Sequence, residues 1–146
     1  MRLKDVFPDL TGPGGDMPVT GITADSRRIE PGFVFAALQG VVADGRKFIG
    51  QAVDAGAGAV VGEALPETGS AIAIEVNNAR LALAKAAARF YPNQPEHTVA
   101  ITGTNGKSST VDFLRQIWAS AGAKSASLGT LGAIGPNGHI ALGHTT

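Results

Sequence analysis

Cysteine is absent from this 146-residue chain. Disulfides, thiolate zinc sites and a cysteine nucleophile are therefore excluded. Excess charge of either sign is also absent, because 12 Lys plus Arg balance 12 Asp plus Glu. A neutral chain lacks the electrostatic drive of a nucleic-acid or membrane-surface binder, so neither is an expected partner. Aromatics make up only 5% of the residues, which leaves the core to Ala, Val, Ile and Leu. No apolar run approaches the roughly 18 residues of a membrane span. No apolar stretch follows Met1-Arg2-Leu3-Lys4-Asp5 either, so no targeting segment is visible. These absences point to a soluble cytoplasmic protein. The three histidines, His97, His139 and His144, have no metal-ligand spacing. No Ser-His-Asp arrangement is credible.

What is present suits a packed α/β protein. Hydrophobic residues are 44% and charged residues 16% of the chain, and the length fits one domain or two small ones. Twenty glycines and eight prolines punctuate it. Thr11 to Pro18 reads as loop and Gly21 to Ala24 as a strand. Glu30-Pro31-Gly32 reads as a turn, and Phe33 to Leu38 as a strand closed by Gly40. Phe48, Ile49, Ala52 and Val53 fall on one helical face that ends near Gly56. Ala59 to Gly62 and Ala71 to Val76 read as buried strands. Asn78 caps a predicted helix from Ala79 to Tyr91, stopped by Pro92, with Leu81, Ala84, Lys85 and Ala88 along one side. Pro92 to Glu96 reads as a linker.

Beyond the linker the pattern is strand (Thr98 to Ile101), glycine-rich turn (Thr102 to Lys107), helix (Ser108 to Ala121) and strand (from Ser125). Val111, Leu114, Ile117, Trp118 and Ala121 share one face of that helix. This is a βαβ unit, the building block of a parallel sheet. It is too short to cover both sheet faces, and the expectation is that the chain is part of a longer protein. Pro136-Asn137-Gly138-His139 reads as a hairpin tip.

Thr102-Gly103-Thr104-Asn105-Gly106-Lys107-Ser108-Ser109 is the sharpest chemical signal. Glycines let the backbone turn tightly and aim several N–H groups at one spot, and a helix N-terminus adds partial positive charge. Lys107 would reach the β and γ phosphates of a nucleoside triphosphate, and the Ser108 hydroxyl would bind Mg²⁺. The run departs from G-x-x-x-x-G-K-[ST] because Ile101 stands where the first glycine belongs. The plain alternative is an ordinary Gly-rich strand-to-helix turn. Asp25-Ser26-Arg27 reads on its own as an Asx-turn at a strand end, and Asp44-Gly45 as a turn.

The eight-residue run resembles the ATP loop of the Mur ligases, which add amino acids to peptidoglycan precursors, and of their relatives the folylpolyglutamate synthetases. The front half separates these. Asp25-Ser26-Arg27, Pro31-Gly32, Phe35 to Gly40, Asp44-Gly45 with Phe48-Ile49, and Ala52 to Val61 look like the UDP-sugar-binding domain of the branch that adds the third amino acid. The branch acting at the fourth step has a similar front domain. Gly129-Thr130-Leu131-Gly132, followed by His144-Thr145-Thr146, resembles a stretch leading to a Thr-Thr-Pro substrate contact.

The resemblance implies a small N-terminal α/β UDP-substrate domain at residues 1–93. The first part of a P-loop parallel-sheet ATPase domain would follow at 98–146. It implies that Ala24, Ser26, Val41, Val42 and Ala43 hold the UDP end of the substrate, although polar residues are common in the family where Val41 and Val42 stand. Gly103, Thr104, Asn105, Gly106, Lys107, Ser108 and Ser109 would hold ATP, with Lys107 catalytic and Ser108 on Mg²⁺. His144, Thr145 and Thr146 would meet the muramoyl-peptide. The implied substrates are a UDP-N-acetylmuramoyl-dipeptide and meso-diaminopimelate or L-lysine, joined through an acyl phosphate by a monomeric enzyme. The family's second metal ligand, modified lysine and C-terminal domain would lie beyond Thr146, so residues 1–146 alone are expected to be inactive. Two other readings stay open: a stand-alone ATP- or UDP-sugar-binding module, and another P-loop enzyme such as a kinase. The exposed sheet edge expected after residue 98 predicts that 98–146 orders less well than 20–92.

Overall fold

A computed structural model describes residues 1–40 and 43–141. The chain divides into two compact units, Met1–Gln94 and Pro95–Thr146.

The first unit is built on four parallel strands in the order β1 (Gly21–Thr23), β2 (Phe33–Ala37), β3 (Ala59–Gly62) and β4 (Ile72–Glu75). Gly21 pairs with Phe33, Val34 with Ala59, and Ala59 with Ile72. Both faces of this sheet are covered, which is why its central strands read as unbroken apolar runs. Successive side chains alternate between the faces. Val34, Ala36, Ala59 and Val61 pack on one side with Leu3 and Val6 of α1 (Leu3–Val6) and Ala86 of α3 (Ala79–Phe90). Phe35, Ala37 and Val60 pack on the other with Ile49 and Ala52 of α2 (Ile49–Asp54). All four residues of β3 are buried.

Helix α1 has no forerunner in the sequence reading. Its four residues bury Leu3 and Val6 completely, and the Leu3 and Lys4 amides donate to the carbonyls of Met17 and Gly15. Helix α3 begins as expected, with Asn78 Oδ1 accepting from the Leu81 amide at 2.9 Å. Its packed face differs from the one marked in the sequence. Ala79, Ala82, Leu83, Ala86 and Phe90 meet the core, whereas Leu81, Ala84, Lys85 and Ala88 are exposed. Alanines occur on every side of this helix, so spacing alone selects no stripe.

The second unit departs further from expectation. Helix α4 (Lys107–Ser120) follows the glycine-rich turn, and β5 (Ser127–Gly129), β6 (Gly132–Gly135) and β7 (Gly138–Ile140) form an antiparallel meander. Thr98 to Ile101 is not a strand, and the parallel βαβ unit is not formed among the described residues. Two-residue turns, Thr130-Leu131 and Pro136-Asn137, let neighbouring strands pair at little closure cost. Parallel pairing of 98–101 with β5 would require a whole crossover packed on the pair. The hairpin tip at Pro136-Asn137 is as expected. Helix α4 has no buried residue. Trp118, Val111 and Leu114 are half-buried, while Ile117 and Ala121 of the expected apolar face are exposed.

Every buried apolar side chain among the described residues therefore lies in the first unit. Truncating Phe35, which is 1% exposed, to alanine should cost about 3–5 kcal/mol in urea denaturation. Phe113→Ala, at a side chain 63% exposed, should change stability by no more than about 0.5 kcal/mol. Slow amide exchange should concentrate in β2 and β3, and equal protection in both units would contradict this difference.

Candidate functional sites

Parallel sheets present the carboxyl ends of their strands as the natural place for a ligand. In the first unit that edge carries Ala24 and Ser26, just after β1, and Ala43, between β2 and α2. Asp25 and Asp44 shape it in the same way. Asp25 Oδ1 accepts from the Arg27 amide at 3.1 Å, and its carboxylate takes the Arg27 guanidinium at 2.8 and 2.7 Å. Asp44 Oδ1 accepts from the Arg46 amide at 3.0 Å, and its Oδ2 accepts from Arg46 Nη2 at 2.7 Å. Each aspartate opens a short 3₁₀ turn, at Ser26–Arg28 and at Gly45–Phe48. The Asx-turn reading of Asp25-Ser26-Arg27 thus describes its backbone, and the Asp44-Gly45 turn opens a 3₁₀ segment.

The arginine side-chain bonds, aided by the Arg27 amide, hold the Asp25 carboxyl down at a pKa of about 2. Asp44 lies below the usual carboxylate range because of its bonds to Arg46. Ser26 Oγ donates to Gln51 Oε1 at 3.2 Å, which fixes the hydroxyl against α2. Val41 and Val42 lie outside the described residues, as do His144, Thr145 and Thr146.

The second candidate site is the turn before α4. Gly106 stands at the helix start with φ +77°, a conformation that favours glycine, and Gly103 has φ +147°. Glycine offers no side chain to cap the helix. The first intrahelical bond runs from the Thr110 amide to Gly106 O at 2.9 Å, so the amides of Lys107, Ser108 and Ser109 precede the ladder. Lys107 Nζ folds back to donate to the carbonyls of Gly103 and Thr104. Its ammonium thus sits over the loop that Thr104 and Asn105 span. Ser108 Oγ lies 3.1 Å from Thr130 Oγ1. Asp112, one turn along, is engaged by Arg115 and Gln116 and lies below its ordinary carboxylate value for that reason.

A cleft of about 170 Å³ beside the turn touches Lys107 and Ser108 but is lined mainly by apolar groups, among them Ile101, Val111, Leu128 and Ile134. Three amides, an ammonium and a hydroxyl form a donor set that fits a triphosphate. One hydroxyl also fits Mg²⁺, which keeps most of its waters and draws other ligands from phosphate oxygens.

Three residues near these sites escaped the sequence reading as individual groups: Gln51, Arg46 and Thr130. The repeated Asp-x-Arg at 25–27 and 44–46 is a signal that could have exposed Arg46. Gln51 carries no local signal, and Thr130 enters the sequence reading only within Gly129-Thr130-Leu131-Gly132.

A parallel sheet covered by helices on both faces defines an α/β protein. The model of the Mur ligase family, catalytic domain, matches residues 18–91, and the chain belongs to that family. Among its relatives is the UDP-N-acetylmuramoyl-L-alanyl-D-glutamate--2,6-diaminopimelate ligase of Brucella melitensis, 46% identical over 142 residues. The ligase of the same name from Bradyrhizobium diazoefficiens is 50% identical over 139 residues. Both matches cover 93% of this chain, which spans 29% of the length of either relative. A solved structure of a ligase of that name superposes with a TM-score of 0.74 at 25% identity, covering 95% of this chain and 29% of that one. A MurF structure from Acinetobacter baumannii gives 0.62 at 25% identity, covering 82% of this chain and 28% of that one.

The lowered pKa of Asp25 sets a pH dependence. Its ionised pair with Arg27 contributes stability that is fully present above the ordinary value of 3.8 and is lost as pH falls through about 2. Between those values the wild-type chain should lose stability faster than Asp25→Asn, and a carboxyl NMR titration should place Asp25 near the lower end.

Proposed function

We propose that this chain belongs to an ATP-dependent ligase that adds the third amino acid to UDP-N-acetylmuramoyl-L-alanyl-D-glutamate. One observation carries the proposal: the likeness to relatives of that name runs through 93% of the chain, across both units. The carboxyl edge of the first sheet and the glycine-rich turn thus occur in one polypeptide, in the order those relatives have. Likeness to the MurF structure has smaller coverage, which favours the third step over the fourth. The incoming amine is 2,6-diaminopimelate, as the relatives' names state for those proteins.

On this reading Ala24, Ser26 and Ala43 line the UDP end of the substrate site. Asp25 and Asp44 keep their arginines engaged and so hold the turns that carry these contacts. ATP with Mg²⁺ supplies the phosphoryl group that makes the substrate carboxylate a good electrophile. Lys107 exchanges the Gly103 and Thr104 carbonyls for phosphate oxygens and neutralises charge there. The amides of Lys107, Ser108 and Ser109 would add donors at the same place, and the Ser108 hydroxyl would be this chain's ligand to the metal. The same reading makes the protein a soluble cytoplasmic monomer.

Lys107→Ala should weaken Mg-ATP binding to residues 1–146 by about tenfold or more, the cost of one charge-assisted contact. Calorimetric titration measures it, and equal affinity would remove Lys107 from the site. Residues 1–146 should release no phosphate when supplied with ATP, the UDP-dipeptide and the amino acid together.

A further inference from the structure

We propose that Arg80 is a positioning residue for the substrate edge: from the first turn of α3 it holds the segment after β2, and Ala43 with it. The proposal rests on the carboxyl edge being where the UDP-substrate binds. Residues 38–40 and 43–45 face each other after β2. Gln39 and Asp44 form an isolated antiparallel bridge, and the Gly40 amide donates to Ala43 O at 2.9 Å. The Gly45 amide donates to Leu38 O at 2.8 Å, and a Cβ on Gly45 would come within 2.6 Å of that oxygen. The base of the segment is therefore closed too tightly for any residue but glycine.

Leu38 packs against the core at the base of the segment, but these bonds are internal and do not fix where Gln39 and Ala43 lie against the rest of the unit. Arg80 Nη2 does so by donating to Gln39 O at 2.8 Å, across 41 positions of sequence. Arg46, held by Asp44, adds a longer contact to Ala64 O at 3.5 Å. Arg80 extends from a fixed base. Asn78 accepts from the Leu81 amide, and Glu63, directly after β3, accepts from the Ala79 amide at 2.9 Å. The end of β3, the start of α3 and the segment after β2 are thus linked in series by hydrogen bonds.

The placement of Arg80 runs against helix electrostatics. A cation in the first turn faces the positive end of the helix dipole, which is unfavourable. Arg80 is exposed, and the bond to Gln39 O is its side chain's only hydrogen bond among the described residues. It contributes nothing to the core, so its contact with the segment is what offsets that unfavourable position.

The test compares wild type, Arg80→Met and Arg80→Lys in residues 1–146, titrated with UDP-N-acetylmuramoyl-L-alanyl-D-glutamate. Arg80→Met keeps the stem and should raise Kd about tenfold, the effect of one charged hydrogen bond. Arg80→Lys should restore most of the affinity. Amide exchange should quicken at Gly40 and Gly45 with Tm unchanged. Unaltered affinity in Arg80→Met, or a lower Tm with faster exchange throughout the unit, overturns the proposal. If the wild-type chain does not bind the UDP-dipeptide, the reading of the edge as a substrate site fails. Exchange at Gly40 and Gly45 then decides alone whether Arg80 holds the segment.

Discussion

The first unit depends on burying β2 and β3 on both faces at once. A parallel strand cannot leave one side in water while helices cross over the other. Val34 and Ala36 must meet one layer, and Phe35 and Ala37 the other. Helices α1 and α3 serve one layer and α2 serves the second. With so few aromatics available, Ala86 and Ala52 bring these helices close to the strands, and Phe35 supplies bulk on the α2 side.

The carboxyl edge is a consequence of that arrangement. With β1 and β2 parallel and adjacent, the turns that follow them share one edge of the sheet. Their aspartates satisfy backbone amides locally and neutralise arginines at the same time. The edge is thereby ordered by charge-assisted bonds, where the core beneath it is ordered by packing. Surface ion pairs that are only partly buried, as these are, add little to global stability. Their effect is local, on the direction of the chain at Ser26 and Ala43.

The turn before α4 follows a different logic. It needs no core to present amides, because a helix start leaves them unpaired by construction. Among the described residues its unit has no buried apolar side chain, and Phe113, Ile117, Leu128, Leu131 and Ile140 are exposed. The chemistry of the turn is set by backbone geometry at Gly103 and Gly106 and by the reach of Lys107, over a few residues.

Local signals were legible in the sequence wherever a short stretch decides its own conformation. The strands of the first sheet, the Asn78 cap, the hairpin tip at Pro136-Asn137 and the start of α4 all belong to this group. So do the Asx-turn at Asp25 and the membership in the Mur ligase family, which rests on ordered short motifs. The burial of α1, the packed face of α3, the antiparallel pairing of β5 and the links from Arg80 to Gln39 and from Ser26 to Gln51 were not legible. Each is a choice among partners distant in sequence. An alanine-rich helix can turn any side inward, and a strand pairs with whichever neighbour closes at least entropic cost. The sequence by itself thus determined which segments turn and which residues cap. The tertiary structure alone decided what they pack against, because packing depends on which surfaces the rest of the chain brings into contact.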